Sequence, residues 1–264
     1  MPECRDDFLA QAGFRLRRSG VHQARSMMLA DIRSLFDACP SEATTPDSLA
    51  NAILLENCLG KRSMASRRLT LQHLRSLYAL DPNVPIYRFF RFLWNRSPDD
   101  RPLLALLIAY ARDPVLRDSA PCVIALAPGE QLSAAAMEAF LGSLDETRYS
   151  PATLSSIARN VRATWTHSGH LTGNVVKQRA AAEPGVGPVA LALLLGYLEG
   201  HRGLSLFESE YMRLLDAATA KKIALAQTAS KRGWLVFKHI GAVVEVLFPG
   251  LLTNDEQERI REQS

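Results

Sequence analysis

Residues 188–198, PVALALLLGYL, are apolar around the whole circumference of a helix. A helix that crosses a bilayer needs about 20 such residues, so this run is too short to span one. A helix apolar on every side must instead be enclosed by protein. The run therefore predicts a buried helix and a chain built around it. The remaining sequence can supply that enclosure: 47% of the 264 residues are hydrophobic and 22% are charged, and aromatic residues make up only 7%. These are the proportions of an ordinary globular protein. A chain of this length buries a sizeable core without disulfides or metals, and an Ala- and Leu-rich composition favours helix over strand.

Helix signals recur along the chain. Helices are expected over roughly 6–17 and 22–38. A third begins at Pro46 behind Thr45 and stops near Gly60. A fourth, MASRRLTLQHLRSLYAL, follows Ser63. Ser or Thr at the cap and Pro at the first helical position both favour helix starts. On the fourth helix Met64, Leu71, Leu74, Leu77 and Tyr78 share one face, and Arg68, Gln72 and Arg75 form a stripe beside it. Helices near 85–95, 99–112 and 114–126 come next. APGEQ at 127–131 reads as a turn and a domain boundary, separating an N-terminal helical domain, 1–127, from a C-terminal helical domain, 128–264. The second half then reads as helix 132–144, helix 151–167, and a short hairpin in which HL and VVKQRA flank TGN. The buried helix 188–200 and a helix over 217–232 complete it, with a second turn at Ile240–Gly241 between two further strands. The fold class expected is mainly α, with a helix-turn-helix-like C-terminal half carrying one or two short β-hairpins.

The four cysteines, Cys4, Cys39, Cys58 and Cys122, lie far apart with no C-x-x-C pair, and read as separate thiols of a reducing compartment. The first residues, MPECRDDFLAQAG, lack the basic-then-apolar order of a signal peptide. A cytoplasmic protein without a membrane partner is expected.

Net charge is only +4, but its distribution is uneven. Residues 8–30, 57–80 and 147–182 hold fourteen Lys and Arg and no Asp or Glu, which leaves −10 on the rest of the chain. Segregation of this kind predicts one basic and one acidic face. The alternative, basic helix faces scattered over the surface, stays open at this point.

The stretch 153–179, TLSSIARNVRATWTHSGHLTGNVVKQR, concentrates the question. His167 and His170 stand three apart, yet zinc needs three or four ligands and residues 147–182 offer no Cys, Asp or Glu. No P-loop, dinucleotide fingerprint or G-x-S-x-G nucleophile motif occurs in the chain. Neither a metal, a cofactor nor a catalytic constellation is expected, and the protein reads as a non-enzyme. Two helices followed by a hairpin are the order of a winged helix-turn-helix, in which the second helix enters the major groove and the wing touches the backbone. Arg159 and Arg162 lie on one side of the second helix, and Lys177 and Arg179 alternate along a strand and share a face. Asn160, Thr164, Thr166 and His167 supply neutral donors, and Trp165 reads as a packing residue.

The sequence also resembles a known family. LLENCLGKRSMASRRLTLQHLRSLYAL, 54–80, with Glu56, Asn57, Leu59, Arg62 and Ser63, is similar to the BrxA family, in which an acidic residue and Asn precede Leu and then Arg-Ser at the start of a basic helix. LALLIAYARDPVLRD, 104–118, and SPATLSSIARNVRATWTHSGHL, 150–171, resemble its following segments. The matching blocks fall within roughly 50–180, and residues 185–264 lie outside them. The resemblance implies a helical DNA-binding component of BREX, a bacterial phage-defence system, without enzymatic activity of its own and in contact with other defence proteins. It carries DNA contact onto Arg62, Arg67, Arg68, Arg75, Arg159 and Arg162. Double-stranded DNA, held mainly by phosphate contacts, is the expected partner. A scaffold that docks an acidic protein and an RNA-binding helical protein are the alternatives.

Overall fold

The computed structural model describes residues 2–15, 26–145, 149–241 and 243–262. It is mainly helical, with short antiparallel strands confined to the second half. The chain forms two compact units that interleave in sequence. Unit 1 comprises residues 1–16, 81–108 and 183–264, and unit 2 comprises 17–80 and 109–182. This division does not follow the boundary expected at 127–128. Each unit collects segments from both halves of the chain, and a linear reading of turns and linkers carries no signal for such a pairing.

Helices are numbered along the whole chain, and unit 2 opens with α2 (Leu29–Ala38), α3 (Pro46–Leu54) and α4 (Met64–Tyr78). The hydroxyl of Thr45 accepts the Ser48 N–H, and that of Ser63 accepts the Ser66 N–H, so both expected caps form. Ile32, Leu35, Leu49, Ile53, Leu71, Leu74, Leu77 and Tyr78 fill this part of the core. Met64 does not join them. It is 41% exposed in the first turn of α4, where the apolar stripe has not yet reached the core. The Tyr78 hydroxyl donates to the Met27 carbonyl, and burial pushes its pKa up. The second segment of unit 2 carries α7 (Pro114–Ile124), β1 (Gln131–Leu132), α8 (Ala134–Leu144), α9 (Pro151–His167), β2 (Leu171–Thr172) and β3 (Lys177–Arg179). The three strands make one antiparallel sheet in the order β1-β3-β2. Strand β1, two residues long, escapes any periodicity argument. Ser150 caps α9 through the Thr153 N–H, with Pro151 at the first position. Gly173 opens the β2–β3 turn at φ +89°, and a Cβ there would stand 2.3 Å from the Val176 carbonyl oxygen, so only glycine fits.

Unit 1 contains α1 (Pro2–Ala12), α5 (Pro85–Arg96), the first eight residues of α6 (Arg101–Arg112), α10 (Val186–Leu198), α11 (Glu210–Arg213), α12 (Thr219–Lys231), the hairpin β4 (Val236–Ile240) and β5 (Val243–Leu247), and α13 (Asn254–Glu262). The apolar run is the helix α10, and every residue from Val189 to Leu195 is shielded from water. Its N-terminus is held by a carboxylate from far back in the chain. Asp100 Oδ1 accepts the Gly185 N–H at 3.0 Å and Oδ2 the Gly187 N–H at 3.4 Å. A Cβ on Gly187 would lie 2.6 Å from Ser97 Oγ, so the close approach requires glycine. The second expected hairpin forms, with Ile240 opposite Val243. Its Phe237 packs edge-on against Phe207, and Phe248 stands edge-on to Phe89 and Tyr197. No helix among the described residues is long and apolar enough to cross a membrane.

Candidate nucleic-acid interface

Strand–helix–helix–strand–strand is the local order around α9, and hydrogen bonds lock it. The Trp165 indole N–H donates to Ser119 Oγ on α7 at 2.9 Å. The ring meets His170 edge-on at 5.0 Å, and His170 Nδ1 lies 2.9 Å from Ser168 Oγ. Trp165 and His170 are both fully buried, so this histidine is a packing group and faces no phosphate. Thr164 is buried as well. Its hydroxyl accepts the Met27 N–H at 3.0 Å and donates to the Asn160 carbonyl at 3.1 Å, which takes it out of the set of outward donors. Asn160 and His167 line an open pocket of about 360 Å3 together with residues of the segment 26–31. Among the described residues no three His, Cys, Asp or Glu side chains gather as a metal site would require.

The four cations expected on one face of this module do not share one. Arg159 is exposed on α9. Arg162, one turn on, is only 8% exposed, and its Nη2 donates to the Leu132 carbonyl at 3.3 Å and the Val175 carbonyl at 3.4 Å. It ties α9 to β1 and to the hairpin turn, and desolvation lowers its pKa. Arg179 is buried too, with Nη1 donating to the carbonyls of His170 and Ala180. Lys177 is half-buried and its Nζ donates to the Gly173 carbonyl at 2.7 Å. Desolvation, and then the neighbouring Arg162 charge, hold its pKa below the usual lysine value.

The reason lies in the register. Lys177 pairs with Leu132 and Arg179 with Leu171, both core residues. Alternation does put the two cations on one face, but it is the inner face, and Gln178 takes the outer one. The basic residues of 153–179 therefore divide into one outward guanidinium and three carbonyl clamps.

On α4 the expectation fares differently residue by residue. Arg68, Gln72 and Arg75 are all exposed, as the stripe predicted, and Arg62 is exposed just before the helix. Arg67 is half-buried and its Nη1 donates to the Leu54 carbonyl at 2.9 Å, which makes it another clamp. Lys61 pairs with Asp31 at 2.7 Å. Arg62, Arg68, Arg75 and Arg159 have no ion-pair partner among the described residues.

Sequence reasoning missed Arg112, whose Nε donates to the Ser76 carbonyl at 2.9 Å and whose Nη2 donates to the Arg75 carbonyl at 3.2 Å. It satisfies the last carbonyls of α4 and so fixes the helix end beside Arg75. An Arg closing an otherwise apolar helix, LLALLIAYAR, is the one local hint of such a role.

No protein-family model, curated protein or solved structure matches this chain. The charge balance of the units then stands on its own. Unit 2 holds sixteen Lys and Arg against eleven Asp and Glu, a net +5, whereas unit 1 holds fifteen against sixteen, a net −1. Beyond its first turn α9 exposes Arg159 and His167, with Asn160, Ala163 and Thr166 half-buried, and the helix carries no carboxylate. The nearest acid on the preceding helix, Glu138, is half-buried and accepts the Ser155 hydroxyl at 3.0 Å. Such a surface can receive a polyanion.

Proposed function

We propose that the protein is a non-enzymatic component of a BREX-like bacterial phage-defence system and binds duplex DNA mainly through its phosphates. The observation that carries the binding is the order helix, strand, helix, helix, strand, strand from α7 to β3, with the sheet arranged β1-β3-β2 and an acid-free outer side on α9. That is the arrangement in which a second helix enters the major groove with a hairpin wing beside it. The link to phage defence, and to partner proteins within it, comes from the sequence resemblance over 54–80, 104–118 and 150–171.

In this reading Arg159 is a DNA contact on α9, and Arg62, Arg68 and Arg75 contact phosphates from the same unit. Arg162, Arg179, Arg67 and Lys177 hold the frame. The test is a mobility-shift series with duplex DNA, single-stranded DNA and structured RNA at several salt concentrations. Each phosphate contact contributes roughly −0.9 to the slope of log affinity against log salt, so four contacts give a slope near −4. Arg159→Ala should flatten it by about 1. Preference for RNA transfers the same surface to the RNA-binding reading. No shift with any nucleic acid at about 50 mM salt, with tight binding to an acidic protein, establishes the scaffold reading instead.

A further inference from the structure

A fourth acid-free stretch lies in unit 1, outside the three basic windows. Residues 217–244 carry Lys221, Lys222, Lys231, Arg232 and Lys238 and not one Asp or Glu. They begin just after α11 and contain α12 and the start of β5, so the order helix, turn, helix, hairpin occurs again, now within unit 1. The first helix is a single turn. The Ser209 hydroxyl accepts the Met212 N–H at its start, and Lys222 Nζ donates to the Met212 carbonyl at 2.7 Å from α12. That bond fixes α12 against α11, and desolvation lowers the Lys222 pKa.

With Lys222, Ala226 and Ala229 turned inward, α12 presents Ala220, Ala224, Gln227 and Lys231 to solvent. These stand at i, i+4, i+7 and i+11, a single stripe along the helix. Two alanines let the backbone approach a groove closely, and Gln can pair in bidentate fashion with an adenine edge. Lys231 ends the stripe and has no ion-pair partner among the described residues. Lys221, at the other end, pairs with Glu183, but both side chains are about half exposed, so a phosphate can compete for it. In the hairpin, Lys238 is neutralised across the strands by Glu245 and adds nothing, whereas His239, the next residue along the strand, is exposed.

We infer that α12, with the β4–β5 hairpin, is a second contact surface for duplex DNA. An acidic protein would explain the lysines but not a stripe of Ala, Ala and Gln between them. Unit 1 as a whole is near neutral, so this contact is short-ranged and adds little electrostatic steering. The inference is independent of the reading of α9.

The experiment uses the full chain. Ala224→Glu with Lys231→Glu changes only exposed helical positions, where Glu is well tolerated. Duplex affinity at about 100 mM salt should fall at least about tenfold with the melting temperature unchanged, and Lys231→Ala alone should flatten the salt slope by about 1. Ala10→Glu, an exposed control on α1, should leave affinity within about twofold. Wild-type affinity in the double variant, together with weakened binding in Arg159→Ala, overturns this surface and leaves the α9 reading standing. A wild-type protein that binds no duplex at about 50 mM salt overturns both.

Discussion

The modules around α9 and α12 share an order of elements and differ in how the hairpin is locked to its helix. Around α9 the strands are two and three residues long, a third strand reinforces them, and the cations Arg162 and Arg179 reach under the sheet to main-chain carbonyls. Around α12 the strands are five residues long and paired only with each other, and aromatic side chains fill the space beneath, Phe237 against Phe207 and Phe92 against Trp234. A short hairpin buries too little apolar surface to hold itself, so the chain uses charged donors to carbonyls; a longer one can rely on apolar burial. The lesson for reading sequence is that positive charge near a hairpin is not a count of DNA contacts. In the first module most of it is consumed inside.

The largest effect expected from this contrast is on stability. Arg162→Ala removes both carbonyl bonds that tie α9 to β1 and the turn, and should cost about 2–4 kcal/mol in chemical unfolding, with Arg162→Lys recovering only part of it. Lys222→Ala, its counterpart on α12, makes one such bond and should cost less, about 1–2 kcal/mol. Equal losses would break the comparison.

A pH effect of similar size is expected at the helix caps. Helix α7 is capped by Asp113, which accepts the Val115 and Leu116 N–H groups while only 4% exposed. Burial pushes its pKa up from 3.8 to about 6. The folded state therefore binds its proton more tightly than the unfolded state. The resulting stability is fully present below pH 3.8 and lost as pH rises through about 6. Asp113→Asn keeps an acceptor at the cap without the charge, so it should gain on the wild type between pH 4 and 7, by up to about 3 kcal/mol. Urea titrations at several pH values would show the two profiles converging in acid. Asp100, which caps α10, is shifted in the same direction by burial, and the Asp100→Asn profile should slope the same way.

Smaller still is the loss of the α9 cap. Ser150→Ala should cost about 1 kcal/mol in thermal or chemical unfolding. Arg159→Ala should change stability by less than about 0.5 kcal/mol and appear only in the salt dependence of DNA binding.

Helix boundaries were legible where side chains cap locally. Ser150 with Pro151 and Ser63 with its following turn place α9 and α4 as their residues require, and Ile240–Gly241 marks the second hairpin. The expected start of a helix at 22 falls outside the described residues, but residues 26–28 are not helical, Met28 takes a left-handed φ of 51°, and α2 begins only at Leu29. What could not be read was which side of an element faces inward. Period 2 puts Lys177 and Arg179 together, but only pairing with Leu132 and Leu171 decides that Arg179 is buried and Lys177 half-buried. In the same way the spacing of Arg159 and Arg162 is compatible with a shared outer side, and the carbonyls of Leu132 and Val175, 30 and 13 residues away, draw only the second inward. The one-turn helix α11 and the strand β1 are too short to leave a periodic trace.

The interleaving of the units sets an order of events during synthesis. All of unit 2 has been translated once residue 182 is made, whereas unit 1 lacks α10, α12 and both long strands until the C-terminal segment emerges. Its N-terminal residues, with α5 and the acid that will cap α10, must wait for partners far ahead in the chain: Asp100 for Gly185, 85 positions on, Arg88 for Leu251, 163 on, and Gln11 for Arg259, 248 on. Contacts that distant are closed late and slowly. The usual rule that the N-terminal part of a chain folds first is thus reversed for α1, which is made first and packed among the last.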